Sequence, residues 1–190
     1  METLKAPPKR KASKLLEAGS LLYHPVHGIC RIQSITKEPV AGRLAPFYAL
    51  VPNVRHRDRS RFVVAAADIE TSGFHELVSE AETKKILQYL TSGKADEKKL
   101  TGSYAEDTCT WALAEALLLC ARDPMSTKDQ RRRQLLDRSV RGLLREFSFV
   151  LELTVRDTSL LIQKSLGKSA KINPSVLTVL AQTVEDLEEV

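Results

Sequence analysis

The sequence predicts an α+β protein in two parts, a small antiparallel β domain followed by an all-helical domain. Residues 19–66 contain short apolar runs at roughly ten-residue spacing, separated by turn-forming residues. This pattern is typical of a small antiparallel barrel or sandwich. From Ser79 onward the apolar residues recur at helical spacing instead. The length of 190 residues suits one compact domain or two small ones.

Positive charge is concentrated in the N-terminal third of the chain. Residues 1–61 contain 12 Lys and Arg against 4 Asp and Glu, a balance of +8, whereas residues 62–190 sum to −3. Residues 1–17 are predicted to form a basic flexible arm, because lysines and prolines predominate there and few residues are apolar. Such charge favours nucleic acid or an acidic protein surface as a partner without choosing between them. A merely solubilising arm is the alternative.

The β domain is expected to span residues 18–76. Its strands are predicted at the apolar runs 21–23, 29–35, 47–51 and 62–66. The loop at residues 53–60 is unusually basic, with Arg55 and Arg57 among its arginines, and Arg61 follows it. These cations either contact acidic groups on a partner or are simply solvated.

Five helices are expected after the β domain. The first lies between a cap at Ser79 and a stop at Gly93, within a segment, residues 77–102, that ends in a polar, lysine-rich connector. The remaining four belong to a helical domain of residues 103–190. They are predicted at about 104–121, 127–155, 158–166 and 174–187, the last with Asn173 as cap and Pro174 at its first position.

The helix at 104–121 is apolar nearly all round from Trp111 to Cys120. A helix of this kind is normally buried on more than one side. We therefore expect the C-terminal helices to pack over it, and Trp111 to be a core residue.

The helix at 127–155 has two contrasting faces. Apolar residues recur on one face at a period of 3.6 residues, and arginines lie almost diametrically opposite. The arginines are Arg131, Arg138, Arg141 and Arg145. They are candidates for sequence-independent, salt-sensitive contacts with DNA phosphates. The alternative is a solvated face with no ligand.

The sequence contains no pattern typical of an enzyme, neither a phosphate-binding glycine loop nor a nucleophile or zinc-protease motif. His24 and His27 lack a third metal ligand, and the three cysteines form no C-x-x-C pair, so reduced structural thiols are expected. We predict no catalytic residue, no metal, no cofactor and no small-molecule substrate. Without a signal peptide or a long apolar run, the chain is expected to be cytoplasmic, with no membrane partner.

Residues 19–32, GSLLYHPVHGICRI, resemble the opening of the CarD/CdnL/transcription-repair-coupling-factor domain. Similarity continues in order at Gly42, at residues 47–50 (FYAL), at 61–66 and at 73–75, where GFH replaces the family's Gly-Leu-Arg. Further on, residues 125–129 (MSTKD), 135–136 (LL) and 143–146 (LLRE) resemble a helix of CarD C-terminal domains.

This resemblance implies that the β domain is a Tudor-like barrel whose edge strand binds the N-terminal lobe of the RNA polymerase β subunit. The residues it assigns to polymerase binding are Phe47, Tyr48, Arg55, Arg57, Arg61, Phe62 and Val63. The family's helical domain also contacts promoter DNA through a wedge tryptophan, but residues 94–102 contain no aromatic residue. The implied function is non-catalytic modulation of promoter complexes, associated with the nucleoid through polymerase. A protein adaptor with the same fold and no DNA binding is the alternative.

Overall fold

The computed structural model describes residues 15–40, 42–53, 60–69, 71–92, 109–122, 130–168 and 171–188. Within these ranges five strands precede five α-helices, so the predicted order of a sheet followed by helices is confirmed. The strands are β1 (Leu21–His24), β2 (Gly28–Val40), β3 (Arg43–Pro52), β4 (Phe62–Ala65) and β5 (His75–Glu76). The helices are α1 (Glu80–Ser92), α2 (Thr110–Arg122), α3 (Gln130–Val150), α4 (Val155–Gly167) and α5 (Pro174–Glu188). Most of the predicted basic arm lies outside the described residues.

The strands form one antiparallel sheet in the order β4-β3-β2-β1-β5. Its centre is the long β2–β3 hairpin, which turns at Gly42 with a φ of +78°, a conformation that favours glycine. The pairing register shifts between Ile32 and Ser34, which marks a β-bulge in β2. Strand β5, only two residues long, was not predicted.

The chain between β4 and β5 has to cross the sheet, because these two strands lie at opposite edges. The crossing includes a short 3₁₀ helix (Ala66–Asp68), followed by Ile69 and Phe74, which are buried against the sheet. The buried side chains of the sheet include Leu22 and Leu50. The core of the β domain therefore lies between the sheet and this crossing segment.

Local capping residues set several helix boundaries. The Ser79 hydroxyl accepts a hydrogen bond from the Glu82 N–H (3.2 Å), and Asn173 Oδ1 accepts one from the Ser175 N–H (3.0 Å), so both predicted caps are confirmed. Helix α4 begins earlier than predicted because Thr154 caps it.

Helix α3 ends at Val150, five residues before its predicted end. Glu152 adopts a φ of +54°, in the left-handed region, and the Leu153 N–H donates to the Ser148 carbonyl (3.0 Å). This is a left-handed helix cap, in which glycine is the usual residue. The sequence signal for it is weak because a glutamate occupies the position.

Helix α2 is buried along residues 112–121. Its Leu117 belongs to one hydrophobic core with Ile162 of α4 and with Val176 and Leu180 of α5. Helix α2 itself packs mainly against α3 and α1, whereas α4 and α5 pack mainly against α3, against each other and, for α4, against α1. Although α2 is strongly apolar, no helix in the described ranges has the combination of length and apolar character needed to cross a membrane.

The prediction that Trp111 belongs to the core was wrong. Its side chain is 38% exposed, its Nε1 donates to Glu82 Oε1 (2.9 Å), and its ring packs edge-on against Tyr89. Trp111 lies in the first turn of α2, at the rim of the bundle, where one side of the ring faces solvent.

Candidate functional site

Strand β4 lies at an outer edge of the sheet and pairs, among the described strands, with β3 alone. Its side chains alternate between two faces: Phe62 and Val64 pack against the core, whereas Val63 is 57% exposed. Arg61, just before the strand, is also exposed. An outer strand of this kind offers backbone hydrogen-bonding groups, an apolar side chain and a cation to one and the same partner.

The other residues that the resemblance assigned to polymerase binding occupy different environments. Phe47 is partly buried on β3, where it pairs with Ala65 of β4. Tyr48 is buried, and its hydroxyl accepts a hydrogen bond from the Leu16 N–H (2.9 Å). Tyr48 therefore fixes the N-terminal segment to the sheet rather than reaching its surface. Arg55 and Arg57 lie outside the described residues.

The turn between β1 and β2 is organised by His24. Its Nδ1 accepts hydrogen bonds from the backbone N–H groups of Val26 (3.1 Å) and His27 (3.2 Å). The ring stacks on His27 with 4.5 Å between centroids, and His27 in turn contacts Phe62 of β4 at 4.0 Å. Burial lowers the pKa of His24, and the neighbouring His27 adds to this effect. Both observations favour the neutral ring, whose unprotonated Nδ1 can accept.

The four α3 arginines predicted to contact DNA do not share one environment. Arg131 is exposed. Arg141 donates to Asp186 of α5 (2.9 Å) and lies 3.7 Å from Asp137. Arg138 is partly buried, and two of its guanidinium nitrogens, Nε and Nη2, have no hydrogen-bond partner among the described residues. The set is therefore not a uniform free face.

Arg145, the fourth of these arginines, faces the sheet. Its guanidinium lies near the hydroxyl of Tyr23 on β1, and a Cβ atom added at Gly28 of β2 would lie 3.9 Å from its Nη1. Burial raises the pKa of Tyr23 to about 12, although the Arg145 guanidinium acts in the opposite direction. Gly142 lies beneath the same tyrosine, where a Cβ atom would be 3.5 Å from the hydroxyl. Arg145 thus belongs to the contact between the sheet and the helices.

A buried carboxylate, Glu146, completes this contact. Its Oε1 accepts a hydrogen bond from the Val78 N–H (3.0 Å). Its Oε2 accepts one from the Thr110 hydroxyl (2.8 Å) and lies 3.4 Å from His75 Nε2. Since His75 belongs to β5 and Thr110 begins α2, one side chain of α3 fixes the β5 edge of the sheet against the helices.

Sequence reasoning missed this junction of His75, Thr110 and Glu146. Its local signal is a carboxylate beside the apolar face of α3, next to Phe147. That signal does not identify partners that lie 36 and 71 residues away along the chain.

No group of three His, Cys, Asp or Glu side chains in the described part of the chain could hold a metal ion. Burial raises the pKa of Cys30 to about 11, so its sulfur is a thiol at neutral pH. The cysteines Cys30 and Cys120 are both buried and free of disulfide bonds.

Comparison of the chain with models of known protein families and with curated proteins gives no match. Function is therefore argued from the geometry of the β4 edge and of the helices, together with the sequence motifs of residues 19–75.

Proposed function

We propose that this chain is a non-catalytic transcription regulator of the CarD/CdnL type that binds the N-terminal lobe of the RNA polymerase β subunit along β4. The observation that carries the proposal is the outer position of β4 with the exposed Val63 at its centre. A strand of the lobe would extend the sheet through main-chain hydrogen bonds, and Val63 and Arg61 would provide side-chain contacts.

We also propose that the sheet is a Tudor-like barrel. Two observations support it. The segment after β4 crosses to the opposite edge of the sheet and buries Ile69 and Phe74. In addition, the ring of His27 in the β1–β2 turn contacts the ring of Phe62 on β4, a contact that a curled sheet would favour. A curled sheet of this kind would leave the outer side of β4 facing solvent.

The proposed regulator also makes sequence-independent contacts with promoter DNA through its helical domain, and so changes the stability of promoter complexes. One observation favours the adaptor alternative, in which the helices bind no DNA. Arg141 is paired with Asp186, and Arg145 faces Tyr23 of the sheet, so both are directed at groups of the protein itself. Binding of duplex DNA by the full chain decides between the two functions.

The test of polymerase binding is titration of the full chain with the isolated N-terminal lobe of the β subunit. We expect saturable binding that Val63→Glu weakens at least ~10-fold, because a carboxylate would lose water in the new strand pairing. The matched control is Val26→Glu, the same chemical change at a side chain that is 75% exposed in the β1–β2 turn.

Circular dichroism and urea unfolding establish that both variants are folded. A folded wild-type chain that does not bind the lobe would overturn the proposal. Equal losses of affinity from the two variants would overturn the assignment of the interface to β4.

A further inference from the structure

Four helix ends meet at the end of the bundle that lies away from the sheet. The Asn173 N–H donates to the Ala121 carbonyl (3.1 Å), which places the start of α5 beside the end of α2. Arg122 Nη2 donates to the Leu166 carbonyl (3.4 Å), which places the end of α4 there as well. Helix α3 begins at the same end, because it runs antiparallel to α4, which follows it after the turn at 151–154.

This end of the bundle carries cations alone among the described residues. Residues 116–122, 130–136, 158–168 and 171–184 contain seven Lys and Arg and no Asp or Glu. We call these seven the basic end: Arg122, Arg131, Arg132, Arg133, Lys164, Lys168 and Lys171. The connecting residues 123–129, outside the described ranges, add two aspartates and one lysine to the sequence, which lowers the total from +7 to +6.

The opposite end of the bundle has the reverse balance. Residues 109–115, 137–157 and 185–188 contain eight carboxylates against four arginines. Helix α1 adds two glutamates and two lysines and leaves this balance unchanged. Along α2 to α5 the positive charge is therefore concentrated at one end.

Helix stability does not explain the arginines at the start of α3. The positive end of the helix dipole lies at the N-terminus, and cations in the first turn oppose it. Arg131 and Arg133 are exposed there, and the first turn of α3 contains no acidic residue. These side chains lie where they weaken the helix slightly and where a polyanion could reach them.

We propose that the basic end binds the phosphate backbone of duplex DNA. This inference rests on the DNA contact in the proposed function and moves that contact from the Arg138–Arg145 face of α3 to the basic end. Fourteen residues separate Arg131 from Arg145, or about 21 Å along the helix axis. DNA bound at the basic end is thus separated from the sheet that α3 contacts through Arg145.

Duplex is favoured over single strands by composition. The four ranges that carry the basic end, residues 116–122, 130–136, 158–168 and 171–184, contain no Phe, Tyr or Trp. Single-strand binding surfaces rely on aromatic side chains on which bases stack, whereas binding to a duplex backbone needs cations alone. The same composition predicts binding that depends little on DNA sequence.

The test compares two variants of the full chain that lose the same number of positive charges. The test variant combines Arg133→Gln, Lys168→Gln and Lys171→Gln. The control combines Arg43→Gln, Lys85→Gln and Arg156→Gln. All six side chains are exposed, and the control residues lie outside the basic end. Binding of a labelled duplex of mixed sequence is followed by fluorescence anisotropy over a series of salt concentrations.

We expect the test variant to bind the duplex at least ~10-fold more weakly than the wild type. The slope of log affinity against log salt should fall by about 2–3, at roughly 0.9 for each lost phosphate contact. The control should keep the wild-type slope. Equal effects of the two variants, no duplex binding by the wild type, or equal competition by polyglutamate would overturn the inference.

Titration with the β-subunit lobe separates this inference from polymerase binding. The test variant should bind the lobe as the wild type does. Loss of lobe binding in the wild type, with duplex binding intact at the basic end, would remove the polymerase proposal and leave the DNA surface standing.

Discussion

The two edges of the sheet have opposite environments. At one edge, β5 is covered by the helices, and its His75 lies beside the buried Glu146 of α3. At the other edge, β4 exposes Val63 and pairs, within the described residues, with β3 alone. One sheet therefore has an edge committed to the protein's own helices and an edge available to a partner.

This contrast shows that the helices cover one edge strand of the sheet, β5, and leave the other, β4, exposed. Covering an edge is a common way in which proteins prevent strand addition, and here Thr110 of α2 and Glu146 of α3 lie beside His75 of β5. The helical part therefore packs against the β5 side of the sheet and leaves β4 exposed. Among the described strands, the outer part of the β2–β3 hairpin also extends beyond its pairing with β1 and β4. Each prediction below removes or tests one side of this difference.

The largest effect is expected from deleting residues 158–190. The deletion removes α5 and all but the first turn of α4, which pack against α1 and α3. Four fully buried side chains are lost with them, Ile162, Leu166, Val176 and Leu180. At ~1.5–3 kcal/mol each, the loss of about 6–12 kcal/mol is comparable to the whole stability of a small domain. We expect dye binding and aggregation, measured by fluorescence and light scattering. A monomeric truncation as stable as the full chain would contradict this account.

A smaller effect is expected from Glu146→Ala, which removes the carboxylate that lies between β5 and the helices. The substitution leaves the Val78 N–H and the Thr110 hydroxyl without their acceptor and should lower the free energy of unfolding by about 3 kcal/mol. Urea unfolding measures the change. Glu76→Ala, the same change at an exposed glutamate of β5, is the matched control and should cost less than about 0.5 kcal/mol.

Binding of the polymerase lobe by Glu146→Ala should be unchanged under conditions in which the variant is folded, because β4 lies at the opposite edge. If the two substitutions had equal effects on stability, Glu146 would not be the residue that closes the β5 edge.

The smallest effect is expected at the β1–β2 turn, whose His27 contacts Phe62 of β4. Because the pKa of His24 lies below its ordinary value of 6.5 in the folded protein, the unfolded chain binds more protons at acidic pH. The stability that depends on the neutral ring is present above pH 6.5 and is lost as the pH falls toward the lowered pKa. His24→Asn keeps a side-chain acceptor for the turn and does not titrate.

Urea unfolding midpoints between about pH 7 and about pH 5 should therefore fall more steeply for the wild type than for His24→Asn. The other histidines are common to both proteins, so the difference isolates His24. Parallel pH profiles would show that its ring nitrogen does not support the turn.

Features encoded by neighbouring residues were predicted well from the sequence. Ser79 and the Asn173-Pro174 pair fix helix starts through bonds to the next turn. The alternation along β4 likewise separates Val63 from its buried neighbours. Strand β5 escaped prediction because its two residues become a strand only by pairing with Leu22 and Tyr23, more than fifty residues earlier.

The candidate surfaces were less predictable because they are assembled from distant segments. The periodicity of α3 placed its arginines opposite the apolar face, but it could not reveal that Arg141 pairs with Asp186 or that Arg145 faces Tyr23 of the sheet. The basic end likewise draws on four helices, of which only α3 has a run of cations that stands out in the sequence.

The segregation of charge along the bundle makes this part of the molecule an electric dipole. A dipole feels a torque in the field of another charged body, so the protein turns its basic end toward a polyanion before the two touch. At about 0.1 M salt the field extends only about 10 Å from a surface, and this alignment is confined to the final approach. Lower salt lengthens the approach over which it acts, so ionic strength sets the rate of productive encounters as well as their lifetime.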